Sequence, residues 1–418
     1  MHPLAKLRGN LPLIGRYSGA RRGGIVVLTA VMMVVVMGFV AFTVDVGFIM
    51  VTKAQIESAV DSASLAAGQD LAAALKPGYT NLTLGAAETT ARLSATTLAG
   101  MHRSGDKSSI FVNSTSGVRF GQAVWNPATK AWTKVWNATP YNLVEVTANR
   151  INSGVATAPD GPLNLFFAPI LGTKTATLSV HATAVVPVGV GVRRPPGSGA
   201  GGGSGNGNGW ASGRVDVLPI TLDEPTWNAL VSTLGYASGT DTFSVSESGT
   251  VTSGGGGDGV KEINIYPNGT ADLPSGNRGT VDIGSANNST SDLVRQIKDG
   301  LSESDLAGFP GGELRFDNGP VMLGGDPGLS AGIETALQNI IGQQRLIPIF
   351  RSVSGNGDNA QYEIVKLVGV RVLEVQLTGA PSQKRVIVQP CNFTSSAVIR
   401  GSGPIVSDSF FGKPVLIR

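Results

Sequence analysis

The fold of this chain is decided by residues 25–44, which read IVVLTAVMMVVVMGFVAFTV. The stretch carries no charge, and only Thr29, Gly38 and Thr43 interrupt its apolar run. An α-helix of about 20 residues spans roughly 30 Å, the thickness of the hydrocarbon core of a bilayer. A helix buried in a soluble core would normally be shorter and would show a polar edge. The stretch therefore predicts a transmembrane helix, which we place at residues 25–45.

Charges on either side of this span predict its orientation. Five basic residues and no acidic residue precede it, and Asp45 follows it. Because Lys and Arg are retained on the cytoplasmic side, we expect residues 1–24 to form a cytoplasmic tail. The chain would then be a single-pass protein of the inner membrane, with its bulk periplasmic or extracellular. The basic residues are Lys6, Arg8, Arg16, Arg21 and Arg22.

A cleaved signal peptide is the alternative interpretation of the same stretch, because a basic region precedes the apolar run. The apolar part of a signal peptide is normally about 7–15 residues long, and a small-x-small cleavage site follows it. Here the run is longer and leads into Asp45-Val46-Gly47, which is no such site. A retained anchor is the preferred interpretation.

The composition excludes several classes of function. Charged residues make up 15% of the chain and there are 57 glycines, which is typical of a loop-rich extracytoplasmic protein rather than a cytosolic enzyme. The sequence pI is about 9.0, but outside the basic tail 27 basic residues stand against 29 acidic ones. No basic face for nucleic acid is therefore expected. Cys391 is the only cysteine and the three histidines have no neighbour at metal-ligand spacing, so we expect no intramolecular disulfide, no metal site and no cofactor.

The helical pattern continues past the membrane, over residues 46–76. Between residues 49 and 75 there is no proline and only one glycine, and Pro77 should end the helix. One face repeats at steps of three and four residues and is rich in alanine, so another helix or a sheet can approach it closely. We name four of its residues the seam, a candidate partner-packing surface; the alternative is that the sheet of the chain's own first domain covers them. The seam consists of Ile56, Ala59, Ala63 and Ala66.

Two patches of sequence carry a family resemblance. In the first, residues 23–67, an apolar span follows a basic pair and ends in Asp45-x-Gly47, and the segment QIESAVDSASLAA comes next. The second, residues 165–172, reads LFFAPILG and leads into the strand-like run TATLSVHATA of residues 175–184. The chain therefore resembles TadG-type proteins of the tight-adherence (Flp) pilus assembly system, in which LQ-x-A-x-D-x-A-x-LA follows a D-x-G. The matching positions here are Ile56 in a shifted order, Ala59, Asp61, Ala63, Leu65 and Ala66.

This resemblance implies a role in pilus assembly or anchoring, through contacts with other pilus-assembly proteins or pilin-like helices. Prepilins that are processed carry a Glu five residues past the cleaved Gly. If Gly24 were that glycine, the position would hold Thr29. The departure favours a retained assembly factor over a polymerising fibre subunit.

Beyond the juxtamembrane helix, residues 77–192 should form a small α+β domain with helices on one face of a sheet. A helix over residues 86–101 is expected to turn Ala87, Ala91, Leu98 and Leu93 inward. Alternating runs bounded by Asn, Gly and Pro predict antiparallel strands. These runs are residues 109–112, 117–121, 131–136, 143–147 and 175–188.

Residues 193–213 are rich in glycine and have almost nothing to bury, which predicts a flexible linker. A formal G-x-G-x-x-G at Gly197, Gly199 and Gly202 lacks the strand and helix that a dinucleotide site requires. Residues 214–418 predict a mostly β domain with one clear helix. That helix is expected at residues 329–341, and the strands at 346–350, 362–368, 370–377 and 384–389.

Three short motifs could suggest catalysis or metal binding, and each is incomplete. Ser330 lies in a G-x-S-x-G, but the hydrolase fold with this motif needs its histidine after the serine, and the last histidine is His181. We prefer the interpretation that a helix begins here and that Ser330 lies near its N-cap. Ser104 begins an S-x-x-K that no K-T-G follows. The D-x-S-x-S metal motif of the von Willebrand A domains that some TadG-type proteins carry fails here at Ala63.

These patterns together predict an α+β protein: a transmembrane helix extended into a juxtamembrane helix, a small α+β domain, and a mostly β domain after a Gly-rich linker. The expected function is non-enzymatic assembly or anchoring of a tight-adherence pilus through protein contacts, with the bilayer as a further partner. No nucleic acid and no small-molecule substrate are expected. The rival functions are a membrane-anchored surface adhesin or envelope-binding module, and a membrane-anchored serine hydrolase that uses Ser330.

Overall fold

The chain folds as a mixed α+β protein, with a long apolar N-terminal helix, a second helix and a largely β remainder. The fold class expected from the sequence is confirmed. Most of the expected cytoplasmic tail and of the Gly-rich linker, and the helix stop at Pro77, lie outside the described residues. The computed structural model describes residues 22–74, 81–151, 159–195, 215–231, 240–246, 248–266, 278–284, 289–355, 357–403, 405–406 and 408–417.

Helix α1 runs without interruption over Arg22–Ala74. The hydroxyls of Thr29 and Thr43 donate to carbonyl oxygens one turn earlier, so the polar side chains of the apolar stretch are satisfied within the helix. Side chains over residues 25–44 are exposed almost throughout, and this part of the helix is long and apolar enough to cross a membrane. From Asp45 onward one face of the helix is buried. The surroundings of α1 therefore change from open apolar surface to folded protein near residue 45.

Helix α2 (Asn81–Gly100) packs antiparallel on the outer part of α1. The hydroxyl of Ser94 donates to the carboxylate of Asp70, near the far end of α1. Just after α2, the N–H of Gly105 donates to the side chain of Gln55 at 2.8 Å. The chain therefore returns along α1 toward the end of the apolar span.

The other elements of the described chain are short helices and many strands. The helices are α3 (Glu224–Val231), α4 (Thr290–Asp299), α5 (Glu303–Leu306) and α6 (Glu334–Gln338). The strands are β1 (Val118–Asn126), β2 (Ala131–Trp136), β3 (Leu143–Arg150), β4 (Leu163–Asn164), β5 (Thr175–Ala176), β6 (Leu178–Val185), β7 (Gly189–Arg193), β8 (Leu222–Asp223), β9 (Phe243–Val245), β10 (Val251–Ser253), β11 (Ile263–Asn264), β12 (Gly279–Val281), β13 (Glu313–Arg315), β14 (Val321–Pro327), β15 (Gln344–Ser354), β16 (Ala360–Gln376), β17 (Arg385–Pro390), β18 (Thr394–Ser395), β19 (Val398–Arg400), β20 (Phe411–Gly412) and β21 (Val415–Ile417).

The first sheet has the strand order β2-β1-β3-β6-β21 among the described residues, and neighbouring strands are antiparallel. The apolar side chains of α1 and α2 share a core with β1, β3 and β6. Residues 109–112, expected as a strand, form none, although Ile110 and Val112 are buried in this core. The strand β21 was not expected in this sheet, because it comes from the opposite end of the chain.

A larger sheet occupies the C-terminal half, with the order β11-β17-β16-β14-β12 and β15 paired to β16. Helices α3, α4 and α6 share its core, in which Trp227 is fully buried. Strand β16 runs through both strands expected at residues 362–368 and 370–377. A side chain at Gly369 would collide with the carbonyl oxygen of Cys391, so this glycine permits close packing rather than a turn.

The helix expected over residues 329–341 is shorter in the structure. A single 3₁₀ turn, Ala331–Ile333, leads into α6, which ends at Gln338. Gly342 has a positive φ of 84°, and β15 begins two residues later. The apolar pattern beyond Gln338 therefore belongs to the turn and loop that enter β15.

Strand pairing and a helix cap join the C-terminal half to the N-terminal elements. Strand β7 pairs with β13 on one side and β19 on the other. The side-chain amide of Asn392 donates to the carbonyl oxygens of Ala72 and Ala73, at 2.7 and 2.9 Å. Carbonyls in the last turn of a helix have no partner within it, so Asn392 caps the end of α1. The domain boundaries at residues 77–192 and 214–418 stay a prediction.

Candidate functional site

The seam expected from the sequence lies in the core beneath α2 and the first sheet. Ile56, Ala59 and Ala63 are completely buried, and Ala66 is half-buried. The buried residues share one apolar cluster with a row of alanines on α2 at the same four-residue spacing. The row on α2 consists of Ala87, Ala91, Ala95 and Ala99.

Small side chains on both helices allow their backbones to approach closely. The chain's own helix and sheet therefore cover Ala59 and Ala63 in this structure, which is the intramolecular alternative for the seam. At Gly68, a side chain would come within 3.3 Å of Pro414 and 3.6 Å of Ala184, so the C-terminal segment also packs tightly on α1. Docking of a partner protein on the seam stays a prediction, and Ala66 is the member that retains some exposed surface.

Asp45 lies where the apolar span ends. No structural role was assigned to its side chain from the sequence. The residue is buried, with 3% of its surface exposed. It accepts hydrogen bonds from the backbone N–H groups of Phe166 at 2.8 Å, Phe167 at 3.0 Å and Ala168 at 2.6 Å. Hydrogen bonds to an ionised acceptor are stronger than neutral ones. We call this arrangement the Asp45 clamp.

The clamp holds the tip of a hairpin formed by β4 and β5. At the base of the hairpin, Leu163 and Thr52 of α1 both pack around Gly105. Nearer the tip, the rings of Phe166 and Phe48 lie 4.9 Å apart, and the tip backbone binds Asp45. The contacts move along α1 from residue 52 to residue 45, so the hairpin points along α1 toward the apolar span.

A turn closes the tip of this hairpin. Residues Ala168–Leu171 form a 3₁₀ turn that ends at Gly172, whose φ of 94° few other residues adopt. The N–H of Leu165 donates to the carbonyl oxygen of Lys174 at 3.1 Å and completes the loop. The patch LFFAPILG is therefore an ordered tip that α1 holds in place.

A buried arginine fixes the base of the hairpin. Arg150 at the end of β3 is 2% exposed and pairs with Asp106 at 2.6 Å. Its other donors reach the carbonyl oxygens of Gly161 at 2.7 Å and Ser104 at 3.0 Å. Burial alone would raise the pKa of Asp106, but the hydrogen bond and the charge of Arg150 outweigh it, so the pKa lies below its usual value. The pair ties the turn after α2 to the start of β4.

The serine motifs both occupy structural positions. The hydroxyl of Ser104 accepts from Arg150 at 3.1 Å, inside the turn described above. Ser330 caps the 3₁₀ turn before α6, and its hydroxyl accepts from the N–H of Gly332 at 3.2 Å. His181 lies on β6, opposite Thr147 in the first sheet, whereas Ser330 belongs to the C-terminal half. The geometry gives neither serine a histidine partner within the described chain.

A cleft of about 700 Å³ lies where the far end of α1 meets the C-terminal half, lined in part by Asp70, Arg371, Gln389, Cys391 and Asn392. Burial raises the pKa of the Cys391 thiol to about 12, so the thiol is protonated at neutral pH and is a poor nucleophile. Within the part of the chain that the structure describes, no three His, Cys, Asp or Glu side chains form a group that could hold a metal. The lining includes side chains that can form hydrogen bonds, such as those of Gln389 and Asn392.

The two patches of sequence that carry the resemblance thus meet in space. Asp45 and Phe166 are 121 positions apart in the chain, and no periodicity links them. The signal available in the sequence was an acidic residue directly after an apolar span, because such a charge at the membrane edge needs a partner. The sequence did not indicate which segment would supply that partner.

Comparison with protein families identifies one segment of the chain. Residues 23–70 match the family model described as putative Flp pilus-assembly TadE/G-like. We call residues 23–70, over which the chain is similar to this family, the Tad segment. It covers most of α1, including the apolar span, Asp45 and the seam, so the resemblance stated from the sequence is confirmed over this segment. No curated protein and no solved structure matches the chain.

The Tad segment supports a role of the chain in the assembly of Flp, or tight-adherence, pili. The matched family model is described as a pilus-assembly family. The apolar helix is compatible with a single-pass membrane protein.

Proposed function

We propose that this chain is a non-enzymatic, single-pass membrane protein that acts in the assembly or anchoring of a tight-adherence pilus through protein contacts. The observation that carries the proposal is the position of the Tad segment on α1. One part of this helix presents an exposed apolar surface to its surroundings, and the next part is the core of a folded domain. The same helix thereby joins the membrane to the body of the protein.

The continuity of α1 makes this connection stiff. No proline interrupts Arg22–Ala74, so a force on the folded domain passes into the span without a flexible joint. The Asp45 clamp adds a second link between the domain and the helix at the membrane edge. Such a connection suits a component that holds partner proteins at a fixed height above the bilayer. Other pilus-assembly proteins or pilin-like helices are the proposed partners.

We further propose that the N-terminus is cytoplasmic, the span lies in the inner membrane, and the folded body is periplasmic or extracellular. The basic residues before the span support this orientation. A reporter that is active only outside the cytoplasm should work when fused after Pro77 and fail when fused at Gly15. The opposite pattern would contradict both the orientation and the localisation.

Removal of the chain tests the functional proposal itself. Cells that lack it should lose tight-adherence pili in electron micrographs, and the full-length chain supplied in trans should restore them. A variant that lacks residues 1–45, directed across the membrane by a cleavable signal, should not restore them if anchoring is required. Normal piliation in the deleted cells would contradict a role in assembly.

A surface adhesin or envelope-binding module is the second candidate, and the polar cleft near the C-terminal half favours it. Deleting residues 214–418 would not separate the two functions, because the deletion also removes β21 from the first sheet. Thr90→Arg is a cleaner test, since Thr90 is exposed on α2 and lines the cleft. An assembly factor should keep pili and attachment in this variant, whereas an adhesin that uses the cleft should keep pili and lose attachment.

A further inference from the structure

The tip of the β4–β5 hairpin, residues 166–173, leaves a group of apolar side chains uncovered. Ile170 and Leu171 are 83% and 84% exposed, and Phe166 and Phe167 are also exposed. Single exposed apolar residues are common on soluble proteins, but a contiguous group marks an interaction surface. The Asp45 clamp holds this group in an ordered turn, so its exposure is built into the fold.

The position of the tip indicates what covers it. The hairpin follows α1 from Thr52 to Asp45, which is about 10 Å at 1.5 Å per residue. Ile170 and Leu171 lie beyond the clamped residues, in the turn that caps the hairpin. They are therefore level with the end of the apolar span, and the contact between Phe48 and Phe166 makes the two apolar surfaces continuous.

The charges around the tip suit the surface of a bilayer. No acidic residue occurs between residues 161 and 215. Lys174 is exposed at the base of the tip, and a lysine in this position can bury its stem and direct its ammonium group to lipid phosphates. Asp45 is satisfied by the three N–H groups of the clamp, so its carboxylate is not left unpaired at the edge of the hydrocarbon.

We propose that this hairpin tip inserts into the outer surface of the lipid bilayer beside α1, as a second membrane contact. The proposal rests on the proposed membrane anchoring of α1 and adds to it. One helix alone leaves the folded body free to rotate and tilt on the membrane, whereas two contacts fix its orientation. A lipid occupant is favoured over a second protein because the tip continues the lipid-facing surface of the span.

The test uses the full-length chain in vesicles of phosphatidylethanolamine and phosphatidylglycerol. Cys391→Ser removes the native thiol, and single cysteines are then introduced at Ile170, Leu171, Val35 or Thr129 and labelled with an environment-sensitive fluorophore. Val35 lies within the span, and Thr129 is exposed in the turn between β1 and β2. Substitution of Ile170 or Leu171 should leave the fold intact, because both side chains are exposed.

Lipids with a spin label on the upper part of the acyl chain should quench the probes at Ile170 and Leu171. Lipids labelled near the chain end should quench Val35, and neither lipid should quench Thr129. Leu171→Asp should abolish the quenching at Ile170, whereas the matched Thr129→Asp should leave it unchanged.

The possible failures are distinguishable. Quenching at Val35 without quenching at Ile170 and Leu171 would overturn insertion of the tip and leave the membrane anchor standing. A blue-shifted but unquenched probe at Ile170 would show that protein, and not lipid, covers the tip, which also overturns the proposal. Absence of quenching at Val35 would overturn the anchoring on which both proposals rest.

Discussion

Asp45 is the residue at which α1 changes its surroundings. Every side chain over residues 25–40 is exposed and apolar or small, and from Asp45 onward the helix has a buried face. A buried carboxylate is costly unless hydrogen bonds satisfy it. The three N–H groups of the hairpin tip supply those bonds, so one side chain both marks the end of the span and orders a distant loop.

Asp45→Ala should release the hairpin tip from α1. The backbone N–H groups of Phe166, Phe167 and Ala168 would lose their acceptor and exchange with solvent. Hydrogen exchange measured on the full-length chain in lipid should show faster exchange for these three amides than in the native chain. Glu57→Ala is the matched control, because Glu57 lies on the same helix in an exposed pair with Lys53. Unchanged exchange in Asp45→Ala would contradict the clamp.

The pair between Asp106 and Arg150 should stabilise the first domain at neutral pH and lose this effect in acid. Arg150 holds the pKa of this carboxyl below its usual value, so in the folded state Asp106 binds its proton only at lower pH. The stabilisation is complete above the unfolded-state pKa of about 3.9 and is lost as the pH falls through the lower folded-state value.

The melting temperature of the full-length chain should therefore fall between about pH 5 and about pH 2, and it should fall less in Asp106→Asn. Glu57→Gln, which alters the exposed pair with Lys53, should retain the full pH dependence. Equal acid sensitivity in the native chain and in Asp106→Asn would show that the pair with Arg150 does not contribute.

At the scale of elements, the sequence predicted helix α1 and strands β1, β2, β3 and β6 of the first sheet because their periodic apolar patterns are local. The α2 helix was also expected, but Leu93 is exposed rather than inward. The side of α2 that packs on α1 is set by the four-residue row of alanines, and a larger side chain on that row would hold the helices apart. Apolarity alone did not distinguish Leu93 from its smaller neighbours.

Two features that were not predicted depend on contacts between distant parts of the chain. In the sequence, Gly369 suggested a break between two strands. In the structure the strand continues through it, because a residue without a side chain leaves room for the carbonyl oxygen of Cys391. The Asp45 clamp could likewise not be predicted, since it joins residues far apart in the chain. Contacts of this kind depend on tertiary structure, and a single sequence does not indicate which distant segment supplies the partner.

The row of alanines between α1 and α2 predicts sensitivity to larger side chains. Ala63→Leu should overpack this contact and destabilise the first domain by about 1–3 kcal/mol. Thermal unfolding of the purified full-length chain in detergent measures the effect, and Ala54→Leu, on the exposed side of the same helix, should leave the melting temperature unchanged. If Ala63→Leu retained its melting temperature and lost pili, the seam would serve a partner rather than the chain's own core.

At the scale of the whole molecule, the buried part of α1 and the last described strand belong to one structural unit. Strand β21 completes the sheet that α1 covers, and Asn392 caps α1. The C-terminal half is therefore not suspended from the linker alone. Its position relative to α1 depends on strand pairing as well as on the chain connection.

Limited proteolysis should show this arrangement. We expect the first cut between Arg193 and Gly213, in the predicted linker, and two stable fragments on a denaturing gel. Under native conditions the fragments should elute together, because β21 pairs with β6 and β7 pairs with β13 and β19. Fragments that separate without denaturant would mean that these strand pairs do not hold the halves together. A first cut elsewhere would contradict the linker.

The proposed function requires that one unbroken helix connect the membrane to the folded body and that pilus assembly depend on this connection. Met50→Pro tests it most directly, because Met50 is 67% exposed and a proline there breaks the helix, at a cost of about 3 kcal/mol or more, without removing a core side chain. Met50→Ala is the control. The number of pili per cell, counted by electron microscopy at matched levels of protein in the membrane, should fall sharply in Met50→Pro and stay normal in Met50→Ala. Normal piliation in Met50→Pro would contradict the claim.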